Sequence, residues 1–158
     1  MRKKILLVAL VGALSLGASA CSSDTESVDT TLPAETTFTV DGAWARTSPM
    51  ESTVGAAYMN IMASADDALV GASVDSSVAM MTQVHETTTA ADGTMGMQEI
   101  ASVPLVAGTP LALAPGGYHI MIMELAKPLE VGSSFNVTLT FASGATTTVE
   151  VPVQNEAP

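Results

Sequence analysis

The chain has 158 residues, 47% hydrophobic but only 4% aromatic, with a formal charge of −11. Apart from its apolar start, that length supports one core of about 110 to 120 residues, built mainly from aliphatic side chains. Such an acidic surface repels phosphate backbones and argues against nucleic acid as a partner.

Residues 1–20 read as an export signal: Met1-Arg-Lys-Lys, an apolar run from Ile5 to Leu16, then small residues up to Ala20. The run is short for a membrane span. Cys21 follows Ala18-Ser19-Ala20, and this junction resembles the bacterial lipoprotein cleavage box, although the box usually has Leu where Ala18 stands. The resemblance implies that Cys21 is lipidated and becomes the first residue of a protein anchored on the extracytoplasmic side of a bacterial membrane. Cleavage there leaves two cations, Arg46 and Lys127, against all 16 acidic side chains, a formal −14. It also leaves the folded part with no cysteine free for a disulfide, a redox pair or a nucleophile. Residues 21–37 are rich in Ser, Thr, Asp and Glu and read as a flexible tether.

From Phe38 onward the pattern is of short strands. Phe38 to Ala45, Ala57 to Met62, Leu69 to Val74, Val78 to Glu86, Met95 to Ile100, Tyr118 to Leu125, Ser134 to Phe141 and Thr146 to Val153 are bounded by Gly, Pro, Asp or Ser. Phe135, Val137, Leu139 and Phe141 alternate with polar neighbours, as one buried face of a strand requires. Eight such segments predict an all-β, antiparallel, immunoglobulin-like sandwich over residues 38–154, with a tail at 155–158. Turns are expected at Ala91-Asp-Gly93, Ala114-Pro-Gly-Gly117, Val131-Gly132 and Ser143-Gly144, and Pro152 at an edge or strand end.

The chain's only two histidines stand near methionines. His119 and Met121 are two apart in an extended segment and so leave the same face of one strand. His85 precedes the polar Thr87–Gly93 stretch, read as a loop, and Met97 follows it, so a hairpin would bring the two together. Imidazole with thioether suits Cu(I) better than zinc, calcium or magnesium. All four donors are neutral when bound, and thioethers survive where free thiols oxidise. Imidazole protonation, near the ordinary value of about 6.5, should weaken such a site. Met95 and Met123 are auxiliary thioethers within reach of the same region. The competing reading is that methionine fills core gaps, and Met59, Met62, Met80, Met81 and Met95 are expected mainly as packing.

The spacing resembles that of the PCuAC family of extracytoplasmic copper chaperones. The family pattern is His, a residue often Met, ten residues, Met, twenty-one residues, and His-x-Met; here it reads His85, Glu86, ten residues, Met97, twenty-one residues, His119-Ile-Met121. Ala43-Trp44-Ala-Arg46, Ala56-Ala-Tyr58-Met59, Asp92 to Met97 and Leu113 to Met121 also look like family blocks. The resemblance implies a cupredoxin-like sandwich holding one Cu(I) on His85, Met97, His119 and Met121. It further implies delivery of that copper to the CuA centre of cytochrome c oxidase subunit II, or exchange with a Sco-type copper protein. Glu86 departs from the common Met, and residues 154–158 have no His or Met on which to build a Cu(II) site.

Two other readings remain: copper sequestration or resistance through the same site, and a structural β-sandwich lipoprotein that binds no metal. An enzyme is not expected. A blue electron-transfer site needs a cysteine, and no nucleophile and base stand out as a pair.

Overall fold

In a computed structural model of the protein, residues 35–158 are described, and the readings of residues 1–20 and of Cys21 fall outside them. Among the described residues every regular element is a strand: β1 (Phe38–Arg46), β2 (Val54–Ala63), β3 (Asp67–Val74), β4 (Ala79–Thr89), β5 (Met95–Glu99), β6 (Val103–Leu105), β7 (Leu111–Leu113), β8 (Tyr118–Leu125), β9 (Ser134–Phe141) and β10 (Thr146–Gln154). The strands hydrogen-bond in the order β5-β4-β8-β7-β2-β1-β10-β9-β3-β6, with a further β8–β2 pairing.

The all-β sandwich expected from the alternation is present. One hydrophobic cluster joins Met59, Ile61, Val84, Ile120 and Ile122 of β2, β4 and β8 to Leu69, Val137, Leu139, Phe141 and Val151 of β3, β9 and β10. The two groups of strands therefore face each other across a shared core. Phe135, Val137, Leu139 and Phe141 all point inward along β9. Phe38 stacks on Phe141 at 3.6 Å between ring centroids, which draws the start of β1 toward the end of β9.

Pairing is mostly antiparallel, but β1 runs parallel to β10 through Ala45↔Val153 and Arg46↔Gln154, and β7 touches β8 in parallel at Leu113↔Tyr118. Pro152 occupies the last rung with β9, opposite Ser134, just before β10 meets β1, so its missing N–H costs no interior ladder bond. Strands β6 and β7 were not expected; each has three residues, and prolines 104 and 110 lie in or beside them.

The polar run Thr87–Thr89, expected as loop, belongs to β4 and pairs with β5. Threonine is β-branched and suits a half-exposed strand. The turn that follows is correspondingly tight, with Gly93 in the left-handed region at φ 82°. Methionine packing also departs from expectation. Met59 is core, but Met80 is 70% exposed, Met95 65% and Met81 46%. Met81 shares the outward face of β4 with Gln83 and His85, Met80 lies at the start of that strand, and Met95 is on edge strand β5, whose residues are all exposed.

Candidate metal centre

On β8 the side chains divide by parity. Ile120 and Ile122 are fully buried in the core, which sends His119, Met121 and Met123 to the other side of the sheet. Strand β4 divides likewise, with Val84 inward and Gln83, His85 and Thr87 outward. Residues directly opposite in an antiparallel ladder share a face. The register His85↔His119, Gln83↔Met121 and Met81↔Met123 therefore puts donors from both strands on one surface.

The imidazoles of His85 and His119 lie 5.9 Å apart between centroids, at 45°. A metal–imidazole bond of about 2 Å sets each ring centroid about 3.2 Å from the ion, so this separation suits two rings on one ion with a bent N–metal–N angle. Each ring already has one nitrogen engaged. His85 donates Nε2–H to Gln83 Oε1 at 2.9 Å, and His119 donates Nδ1–H to the Gly117 carbonyl at 3.1 Å. These bonds fix the tautomers and leave lone pairs on His85 Nδ1 and His119 Nε2. His85 Nδ1 is buried and has no hydrogen-bond partner among the described residues. A buried bare nitrogen is costly in a core and is what a ligand position requires.

The Gly117 carbonyl also accepts the N–H of Thr87 at 3.1 Å, tying the turn before β8 to β4. Gly116 permits that turn through φ 84°. Behind His119 stands Tyr58, its ring 6.4 Å away, with Trp44 at 4.7 Å on its far side. Burial raises the Tyr58 phenol above its ordinary value and Arg46 pulls it back in part, so the phenol stays protonated near neutral pH.

The hairpin places Met97 opposite Thr87, and Glu99 opposite His85. Met97 is thus one same-face pair removed from His85, on the β5 edge, and 62% exposed. An open cleft of about 360 Å³ is lined by Met97, Met95, His119 and Met121, with Tyr58, Thr87 and Arg46 also on its walls. His85 and Met123 are not part of that lining. Glu86, beside His85 in an extended strand, points to the opposite face and pairs with Tyr118 in register.

Burial lowers the His85 pKa below its ordinary 6.5, His119 lowers it further, and Glu99 opposes both. Among the described residues no group of three or more His, Cys, Asp or Glu side chains gathers to hold a metal. What this face does gather is two imidazoles with nearby thioethers, a combination suited to a soft ion. Gln83 escaped the sequence reading, although its place two residues before His85 was enough to put it on the same face.

Residues 38–153 match the model of a family described as LpqE-like lipoproteins. The chain belongs to the LpqE-like family. Lipoprotein Lxx21020 of Leifsonia xyli subsp. xyli is 36% identical over 154 residues, 96% of this chain and 91% of that protein. Among solved structures, the solution structure of CuI-DR1885 from Deinococcus radiodurans is 32% identical with a TM-score of 0.57, covering 73% of this chain and 76% of that one. The copper-bound PCuAC domain from PmoF2 is 25% identical with a TM-score of 0.59, covering 77% and 93%. This LpqE-like domain thus has the cupredoxin-like PCuAC architecture.

Proposed function

We propose that this LpqE-like protein binds one Cu(I) at His85, His119, Met121 and Met97 and carries it as cargo to a thiolate acceptor. The observation that carries the reading is the facing pair of imidazoles, each tautomer fixed so that one nitrogen keeps a free lone pair. Copper in the solved relatives CuI-DR1885 and PmoF2 supports it.

His85 and His119 supply the rigid half of the site, since both strands are anchored by core residues on their inner faces. Met121 shares that rigid strand, whereas Met97 sits exposed on edge strand β5 and closes the site from outside. An ion held by four neutral donors keeps its single positive charge, which favours attack by an anionic thiolate. Stepwise replacement begins at exposed Met97 and ends at buried His119. The acceptor in this reading is the CuA centre of cytochrome c oxidase subunit II or a Sco-type copper protein. Lipidation of Cys21 would hold the carrier on the extracytoplasmic face of the membrane, in keeping with the lipoprotein family to which it belongs. The protein acts by binding and exchange, not as an enzyme.

The test is an anaerobic Cu(I) titration against a chromophoric chelator, with Met97→Ala and His119→Ala alongside. One tightly held copper, weakened in both variants, is the expected result. No competitive binding, or binding unchanged by both substitutions, would overturn the reading and leave a structural lipoprotein. Transfer is then followed by mixing the loaded protein with a dithiol acceptor domain; copper that stays put would favour sequestration.

A further inference from the structure

Beyond the histidine pair, the β4–β8 ladder carries a second set of soft donors. Along one face its successive rungs are His85 with His119, Gln83 with Met121, and Met81 with Met123. We infer that Met81 and Met123 form a second, weaker site for a soft monovalent ion, Cu(I) or Ag(I), separate from the proposed histidine site.

Directly opposite residues of an antiparallel pair have Cβ atoms about 4.5–5.5 Å apart. An ion held linearly between two sulfurs, with metal–sulfur bonds of about 2.3 Å, needs those sulfurs about 4.6 Å apart. The flexible thioether arms of one rung meet that requirement without moving the backbone. Two-coordinate binding is acceptable to soft d¹⁰ ions and poor for zinc, calcium or magnesium, which need more and harder donors. The one oxygen donor on the neighbouring rung, Gln83 Oε1, already accepts from His85.

Packing does not account for the pair. Met81 is 46% exposed, and the inner face of this stretch is filled by Val84 and Ile122. On the other side of β8, Met123 is flanked by Val54 and Met121 by Ala56, which leaves an apolar wall with no competing ligand. Same-face rungs are about 7 Å apart, so the second site lies about 14 Å from the histidine rung, with Met121 between them. That distance allows two ions at once and leaves a thioether halfway. The pair stands on its own donors, and only its relation to copper delivery rests on the proposed function.

The experiment is an anaerobic Ag(I) titration of the full chain in detergent micelles, with methionine methyl groups labelled with carbon-13 and followed by NMR. Silver stands in for Cu(I) because it is soft, monovalent and redox-inert. The first equivalent is expected to shift the methyls of Met97 and Met121, and the second, bound at least tenfold more weakly, those of Met81 and Met123. In the double variant Met81→Leu and Met123→Leu the first step should persist and the second vanish, with backbone amide shifts elsewhere in β4 and β8 unchanged. Met81 and Met123 methyls that stay still, or move no more than those of exposed Met50 and Met80, would overturn the second site. Silence of Met97 and Met121 at the first equivalent would instead overturn the histidine-site reading, leaving the response of Met81 and Met123 to decide this one.

Discussion

His85 and His119 are direct cross-strand partners on β4 and β8, and each has one ring nitrogen committed to a neighbour on its own strand or turn. The pair therefore acts as one preset unit: the backbone ladder fixes its spacing, and the two hydrogen bonds fix which nitrogen is bare. Replacing either imidazole by alanine should lower Cu(I) affinity by more than about 100-fold, exceeding the 10- to 100-fold usual for losing a group behind a ligand. The double variant should lose little more than either single one, because the two rings serve one ion. Competition titrations of the three variants check this, and fully additive losses would mean that the two rings contribute independently and not as one unit.

Gln83 touches no metal in this scheme, yet it orients His85 by accepting its Nε2–H. Gln83→Leu keeps the shape and removes the acceptor, freeing the ring to rotate or change tautomer. Cu(I) affinity should fall about 10-fold, with Gln83→Glu restoring most of it. Equal affinities in all three proteins would show that the hydrogen bond does not set the ring.

The apo protein should show an acid-sensitive imidazole. Burial, then the His119 charge, holds His85 below the ordinary 6.5 against the smaller pull of Glu99. The folded chain thus binds fewer protons there than the unfolded chain. The stability linked to His85 is present above pH 6.5 and is lost as pH falls through that value toward the depressed one. Ring-proton NMR titration of His85 should give a midpoint below 6.5, read as a property of the coupled pair; a midpoint at or above 6.5 would contradict the placement. Glu99→Gln should move it lower still.

Much of this arrangement is written in local pattern, and the remainder depends on pairings that no local pattern encodes. Alternation along Phe135–Phe141 reports a buried face directly, and the same parity puts His119 with Met121 and turns Glu86 away from His85. The three-residue strands β6 and β7 are too short for alternation to register, and their prolines read as loop. The Thr87–Thr89 run looks like a polar loop until β5 pairs with it, because only a partner shows that its β-branched side chains lie on a strand. Met81 resembles core material by composition, and only the register of β4 against β8 reveals that it lies outside, opposite Met123. The parallel meeting of β1 with β10 joins opposite ends of the domain and has no signature in either strand.

Core packing supports the rigid half of the site and can be tested apart from metal. Leu139 is fully buried against residues of both strand groups. Leu139→Ala should cost about 2–5 kcal/mol in denaturant unfolding, through lost transfer energy plus the cavity left behind. A loss below 1 kcal/mol would mean that the core closes around the gap.

Asp67 ties the start of β3 to the β9–β10 turn. Its Oδ1 accepts the backbone N–H of Ala68 at 2.7 Å and of Ser143 at 3.1 Å. The nearby Ser143 hydroxyl first, and then the backbone N–H groups of Ala68 and Ser143, outweigh burial and hold the carboxyl below its ordinary value. Because the folded pKa is depressed, the carboxylate stabilises the fold above the unfolded value of about 3.9 and loses that effect as pH falls through the folded one. Asp67→Asn should therefore melt at a lower temperature than the parent at pH 7, and the gap should shrink as pH is lowered past 4, where the parent's own carboxyl takes up its proton. Thermal melts of both proteins across pH 3 to 7 measure it. A gap that stays constant over that range would assign the loss to packing of the side chain and not to its charge.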